Sequence, residues 1–259
     1  MGEILIGTSG FSFNDWIGVV YPAGMKKQDM LPYYERSLGF KTLEVNYTYY
    51  SMPSVQTMES FAKRTSREFS FIVKAHKSMT HEKSDNVKET CRYFRAGIEP
   101  LNGNMKALLF QFPYMFVPND ENISYLRFLR EEFNGYESIV EFRNAKWSDE
   151  RYLETLKELS LGYCIVDEPK LKGLLPFSPQ LTSDTGYFRF HGRNTSWFKE
   201  PLEVRYDYLY SEKELRQFVE PIREIAGRAS TTYVFFNNCH AGKAVKNALM
   251  MIEMLKDSE

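Results

Sequence analysis

Ionisable and amide side chains recur at the carboxyl ends of short apolar runs along this sequence. Glu44, Lys74, Gln111, Glu141 and Arg189 each stand at or near the end of a run of β-branched or aromatic residues. Carboxylates can act as general acids and bases in catalysis, and arginine presents a planar fork that matches the oxygens of phosphate or carboxylate groups. The pattern therefore predicts a polar site built from several separate strands.

The spacing within these runs indicates which side chains share a face. Glu141 and Arg143 are separated by one phenylalanine, and Arg189, His191 and Arg193 follow one another at the same two-residue interval. Because side chains alternate between the two faces of a strand, residues two apart lie on one face. We predict that the polar set faces the interior of a barrel and that the intervening apolar residues face covering helices.

The candidate residues divide into two groups by role. The residues predicted to transfer protons are Glu44, Glu141, Asp167 and His191. The residues predicted to bind substrate are Ser9, Asn46, Lys74, His76, Gln111, Arg143, Arg189, Arg193 and Asn237, with Trp16, Trp147 and Trp197 at the rim. Four fixed cations then face three carboxylates, and this excess favours a phosphorylated small molecule or a nucleic acid as the ligand.

Two other interpretations of the same residues stay open. Charged side chains inside a barrel also form mutually paired layers with a structural role. Glu44, Glu141, Asp167 and His191 are ligand types that divalent cations use, although the neighbouring lysine and arginines would repel an ion. We therefore expect no cofactor and keep a divalent metal as the alternative.

Aromatic residues make up 15% of the chain and gather in the segments after the apolar runs. Flat rings around a cationic site can stack on a base or a sugar. Large rings are also readily buried, so packing of loops over the site is the alternative interpretation.

Eight apolar runs alternate with segments of helical spacing, which is typical of a parallel sheet covered by helices. The predicted strands are 4–7, 42–46, 69–75, 106–112, 138–142, 162–167, 186–191 and 232–237, and the predicted helices are 28–38, 55–64, 86–98, 121–133, 149–159, 211–226 and 241–256. Residues 168–184 contain three prolines and a glycine, which predicts an irregular segment in place of one helix. We predict a single TIM-like (β/α)₈ barrel over residues 1–259, with a doubly wound open sheet as the alternative.

Composition narrows the functional classes. Lysine plus arginine number 33 against 34 aspartates plus glutamates, so the surface as a whole is not built to bind a polyanion. The three cysteines are far apart and form no CxxC pair, which argues against a disulfide framework and fits a reducing compartment. No leader pattern and no long apolar window is present, so we expect a cytoplasmic protein away from membranes. The oligomeric state stays open.

Several longer motifs resemble one protein family. They are IGTSGF at 6–11, EVNYTYY at 44–50, FQFP at 110–113, EFR at 141–143, YFRFHGR at 187–193 and FFNN at 235–238. Together they are similar to the YecE-like family, also called domain of unknown function 72, over nearly the whole chain. The resemblance implies an α/β barrel and carries no activity with it; Phe11 and Phe13 stand where many members have tryptophan and tyrosine.

We therefore expect an uncharacterised YecE-like barrel protein that is an enzyme of hydrolase or lyase type. Its ligand would be phosphorylated or derived from nucleic acid and would bind at the carboxyl ends of the strands. The alternatives are a non-catalytic nucleic-acid or nucleotide binding module and a barrel enzyme that depends on a divalent metal.

Overall fold

Eight parallel strands form the sheet in the computed structural model, which describes residues 2–83, 86–195 and 206–256. The strands are β1 (Glu3–Thr8), β2 (Thr42–Val45), β3 (Ser70–Lys74), β4 (Met105–Gln111), β5 (Ser138–Glu141), β6 (Gly162–Asp167), β7 (Thr185–Phe190) and β8 (Thr231–Phe236). Their order is β1-β8-β7-β6-β5-β4-β3-β2, so each strand from β2 to β8 lies beside its neighbours in the sequence. The predicted TIM-like barrel is confirmed, and the predicted strands agree with the observed ones to within about a residue at each end.

The barrel closes between β1 and β2 through a side chain. The Thr8 amide donates a hydrogen bond to the Tyr34 hydroxyl at 2.9 Å, and that hydroxyl lies 3.2 Å from the Thr42 carbonyl to which it donates. Gly7 makes this approach feasible, because a Cβ there would lie 2.4 Å from the Thr42 carbonyl oxygen. A parallel bridge between Ser9 and Glu44 continues the seam toward the carboxyl ends.

Helices follow most of the strands and cover the outside of the barrel. They are α1 (Lys27–Arg36), α2 (Val55–Arg64), α3 (Val87–Ile98), α4 (Asp120–Glu132), α5 (Glu150–Glu158), α6 (Glu212–Ala226) and α7 (Lys243–Lys256). Helix α6 begins with a capping box in which Ser211 and Glu214 satisfy each other's backbone amides. Residues 168–184 contain no helix, which confirms the predicted irregular segment between β6 and β7.

The hydrophobic core lies mainly between the sheet and the helices. Aromatic rings fill much of it; Phe142 and Trp147, for example, stack with ring centres 3.9 Å apart. Within the described part of the chain, none of the helices is both long enough and apolar enough to cross a membrane.

Candidate functional site

The interior of the barrel holds a buried group of charges centred on Arg189. Glu44 and Glu141 are fully buried, and Arg189 is 1% exposed. The guanidinium donates to Glu44 at 2.6 Å through Nη2 and contacts Glu141 through Nη1. Tyr187 donates to the other oxygen of Glu44 at 2.6 Å. Side chains from β2, β5 and β7 therefore meet inside the barrel, as the strand alternation predicts.

The charges continue toward β6 through Arg143. Its Nη2 lies 2.7 Å from Glu141, and its Nη1 lies 2.5 Å from Glu168. The five residues Glu44, Arg189, Glu141, Arg143 and Glu168 thus alternate in sign, and we refer to them as the charge ladder. Alternation matters because a buried charge is tolerated only where a partner of opposite sign and hydrogen bonds compensate for lost hydration.

The two carboxylates that pair with Arg143 differ in their protonation. Burial alone would raise the pKa of Glu141, but the attraction of Arg143 and Arg189 holds that pKa well below its ordinary range. Burial raises the pKa of Glu168 to about 7 and outweighs the attraction of Arg143. Glu141 is therefore a fixed anion, whereas Glu168 changes its charge close to neutral pH.

His191 is held as a neutral ring between Glu141 and Asn237. Burial and the repulsion of Arg143 lower its pKa to about 3. Nε2 lies 3.1 Å from Glu141, which can only accept, so this nitrogen carries the proton. Nδ1 then accepts from the Asn237 amide at 2.9 Å. Both nitrogens are engaged, so the geometry makes His191 a group that orients Glu141; its predicted part in proton transfer stays a prediction.

Lys74 stands at the end of β3 without a carboxylate partner in the described part of the chain. Its Nζ donates to Gln111 at 3.1 Å and lies 4.5 Å from the centre of the Tyr49 ring. Burial, reinforced by the positive charge of Arg189, lowers the pKa of Lys74 to about 7. His81 packs edge-on against Tyr49 at 5.1 Å, and burial together with the charge of Lys74 lowers its pKa to about 4. The lysine amine therefore loses its proton at a much lower pH than an exposed lysine does.

A cavity of 520 Å³ opens beside the ladder above β1 and β8. Ser9 and Asn237 line it and also reach the buried charges: Arg189 donates to Ser9 at 3.4 Å, and Asn237 donates to His191, which contacts Glu141. Asn46 and Tyr50 line this cavity and a larger one of 1030 Å³ between α1 and α2. A small molecule can therefore reach the edge of the buried charges from solvent.

Arg193, predicted by alternation to face the barrel interior, instead pairs with Asp167 outside the charge ladder. Arg193 pairs with Asp167 at 2.8 Å and lies over the Phe218 ring of α6, and Tyr210 donates to Asp167 at 2.6 Å. Asp167 lies on the outward face of β6, because Cys164 and Val166 alternate with it on the inward face. Gly192 has a φ of +90°, so the strand alternation ends there and Arg193 does not share the face of His191.

The neighbour of Asp167, Glu168, is the functional candidate that sequence reasoning missed. It occupies the inward position because it continues the alternation of Cys164 and Val166 by one step beyond the end of β6. Extending the parity test one residue past the apolar run would have found it.

The predicted excess of guanidinium groups is also wrong. Arg143, Arg189 and Arg193 are each paired with carboxylates. Of the four predicted cations, Lys74 alone has no carboxylate partner among the described residues. Arginine forks that are already occupied offer an incoming anion little, so the amine is the group that could receive it.

The tryptophans predicted at the rim lie below the surface. Trp16 and Trp147 are fully buried, and their indole N–H groups donate to the carbonyls of Cys239 at 2.6 Å and Phe116 at 2.7 Å. Their placement at the rim is therefore wrong, and loop packing explains them. Trp197 lies outside the described residues.

His76 has a local structural contact. Its Nδ1 lies 2.7 Å from the Ser78 hydroxyl and caps the short helical turn Lys77–Met79.

The described residues offer no group of side chains suited to bind a metal ion. No three or more histidine, cysteine, aspartate or glutamate side chains are grouped there to hold an ion. Arg189 lies between Glu44 and Glu141, where a cation shared by those carboxylates would have to be.

Comparisons with known proteins agree on one family. A family model described as protein of unknown function DUF72 matches residues 5–259. The UPF0759 protein YunF of Bacillus subtilis is 31% identical over 97% of this chain and 94% of its own length. A DUF72 family structure from Thermotoga maritima is 45% identical with a TM-score of 0.92, covering 98% of this chain and 99% of its own. One from Enterococcus faecalis is 26% identical with a TM-score of 0.87, covering 98% and 95%.

Proposed function

Starting from the fact that this chain belongs to the DUF72 family of proteins of unknown function, we propose that it is an enzyme of hydrolase or lyase type acting on a small phosphorylated substrate. The observation that carries the proposal is the placement of two enclosed ionisable side chains at the strand ends: Lys74 beside Gln111 and the Tyr49 ring, and Glu168 beside Arg143. Burial moves the pKa of each of them to about 7. Proton transfer is most efficient when the pKa of the catalytic group lies near the working pH.

Neighbouring side chains hold each of these two residues in place. Arg143 fixes the carboxylate of Glu168, and Gln111 fixes the amine of Lys74. Arg189 and the two carboxylates around it are enclosed, so their contribution is to position Arg143 rather than to contact the substrate. Strand-borne groups that are locked by such contacts hold their geometry better than groups on loops.

Lys74 is the group that would bind the anion. As an ammonium without a counter-ion, it gains more from an incoming phosphate than an arginine that is already paired. Binding of an anion favours the charged form of the amine, so the protein should take up a proton when the ligand binds at about pH 8.

The proposal is tested by thermal shift and calorimetry with phosphate, sugar phosphates, nucleotides and short oligonucleotides. A phosphorylated ligand should raise the melting temperature, and the shift should disappear in Lys74→Met. Calorimetry in buffers of different ionisation enthalpy should show the proton uptake in the wild type alone. Lys83→Met is the matched control, because Lys83 is also partly buried beside aromatic rings but lies after the turn that follows β3.

Salt dependence separates the enzyme from a nucleic-acid binding module. A pocket for one anionic group loses affinity slowly as salt rises, whereas binding along a phosphate backbone loses it steeply. A steep dependence with oligonucleotides, or an equal response in the wild type and Lys74→Met, would contradict the proposed enzyme.

A further inference from the structure

We propose that Lys74 is a nucleophile that forms an imine with an aldehyde or ketone carbon of the substrate. The inference rests on the proposed function and deepens it, since it names the substrate class as a carbonyl compound that carries an anionic group. The neutral amine attacks, and the protonated imine that results restores the positive charge that the proposed function assigns to Lys74.

The first support is the position of the amine. Lys74 shares the inward parity of Ile72 on β3, and Ile72 is level with Glu44 in the sheet register. The residue is half-buried, and its Nζ lies between the Gln111 side chain and the face of the Tyr49 ring. A partly enclosed amine suits imine formation, because the carbonyl carbon must reach the nitrogen in a place with little competing water.

The second support is the lack of an ion pair. No carboxylate in the described residues pairs with Lys74, although the adjacent β2 carries the buried Glu44 and β5, on the far side of β4, carries the buried Glu141. Those carboxylates are held by Arg189 and Arg143 instead. These carboxylates are therefore not available as counter-ions that would keep the lysine charged. A lysine whose charged form is disfavoured provides the free lone pair that attacks a carbonyl carbon.

The contacts of the amine are compatible with attack. Gln111 accepts one N–H through its side-chain oxygen, and the amide nitrogen of Gln111 is held by the Phe112 carbonyl at 2.9 Å, which fixes the direction of that oxygen. The neutral amine has a second hydrogen and a lone pair beyond this bond.

The other nucleophilic side chains are poorer candidates. Cys91, Cys164 and Cys239 are buried thiols, and burial raises the pKa of each. A thiol that stays protonated is a weak nucleophile.

The reaction balances without an external oxidant or metal. The neutral amine of Lys74 attacks the carbonyl carbon, the C–N bond forms, and the π electron pair moves to oxygen. The oxygen takes the proton that the attacking nitrogen gives up, which yields a neutral carbinolamine. The hydroxyl then takes one further proton and leaves as water, while the nitrogen lone pair forms the C=N bond. In sum, one neutral amine, one carbonyl and one proton become one protonated imine and one water. Among the carboxylates of the charge ladder, we assign the proton for the departing water to Glu168, because burial raises its pKa to about 7.

The test traps the imine by reduction and locates it in the wild-type protein. The full chain is incubated at about pH 7.5 in three separate samples, each containing borohydride and one probe: glyceraldehyde, glyceraldehyde 3-phosphate or pyruvate. The intact mass gives the number of adducts, and peptide mapping identifies the modified residue. We expect one dominant adduct at Lys74, formed at least about ten times faster than at Lys83, and its loss in Lys74→Arg. Because mapping is done on the wild type, the result does not depend on whether a variant folds.

The outcomes separate this inference from the proposed function. No preferred adduct at Lys74 with any of the three probes overturns the imine, while phosphate-dependent stabilisation that requires Lys74 would leave the proposed anion site standing. Equal trapping of glyceraldehyde and glyceraldehyde 3-phosphate at Lys74 supports the imine and contradicts the phosphate preference. Faster trapping of the phosphorylated probe supports both.

Discussion

Replacing Arg189 by methionine should destabilise the barrel strongly, because it removes the cation between two buried carboxylates. Arg189 pairs with both Glu44 and Glu141. Glu141 keeps Arg143 and His191, whereas Glu44 keeps the hydroxyl of Tyr187. One carboxylate rather than two is left without a cation, so the expected loss is about 3–5 kcal/mol of unfolding free energy.

The loss should depend on pH with a defined sign. The pKa of Glu141 is held well below its ordinary value by Arg143 and Arg189 against the effect of burial. A depressed carboxylate pKa adds stability above the unfolded pKa and loses it as pH falls. The difference between the wild type and Arg189→Met should therefore be full at about pH 7 and shrink below about pH 4.5.

Urea titration followed by tryptophan fluorescence measures this prediction, since Trp16 and Trp147 are buried and report unfolding. Adding Glu44→Gln to Arg189→Met removes the uncompensated charge and should recover about 2 kcal/mol. Arg216→Met is the control, because the pair of Arg216 with Glu212 is exposed to solvent. A loss below about 1 kcal/mol in Arg189→Met, or additive losses in the double variant, would refute the role of the ladder.

Three further measurements follow from the same structure. Because burial lowers the pKa of Lys74, Lys74→Met should be more stable than the wild type by about 1–2 kcal/mol at about pH 6. This difference should shrink as pH rises toward about 10, where the amine of the unfolded chain also loses its proton. A difference that stays constant with pH would contradict the prediction. Because burial raises the pKa of Glu168, the wild type should lose about 1–3 kcal/mol relative to Glu168→Gln between about pH 5 and pH 8, as urea titrations at each pH would show. Gly7→Ala should cost about 2–4 kcal/mol by forcing β1 away from Thr42. Gly227→Ala is the control, because a Cβ there makes only ordinary contacts and should change the urea midpoint of unfolding little. Equal effects at both glycines would show that the close approach of β1 to Thr42 is not the cause.

The interior of this barrel joins stability to the proposed chemistry. Arg189, Arg143 and their carboxylates satisfy one another, so they stabilise the fold only as a complete set. Lys74 is excluded from that set, and its surroundings disfavour the charged form of its amine. Stability given up at one residue while its neighbours are fully paired is typical of a functional site.

Periodicity alone was enough to determine the strands, the helices and the irregular segment after β6. Alternating apolar runs specify which face of a strand is buried, and that information is local to each run. The inward placement of Glu44, Glu141 and Arg189 follows from the same alternation. The family motifs lie on these strand ends, which is why residues and resemblance led to the same fold.

Only the tertiary structure decided which charges meet and which are left over. Parity predicted that Arg143, Arg189 and Arg193 face one site, but partner choice depends on distances across the barrel that no local pattern contains. The backbone turn at Gly192 directs Arg193 outward to Asp167. Glu168, one residue beyond the end of β6, continues the inward face of that strand and pairs with Arg143. The pKa values of Lys74 and Glu168 likewise arise from burial and neighbours on other strands, because desolvation and Coulomb interactions act through space rather than along the chain.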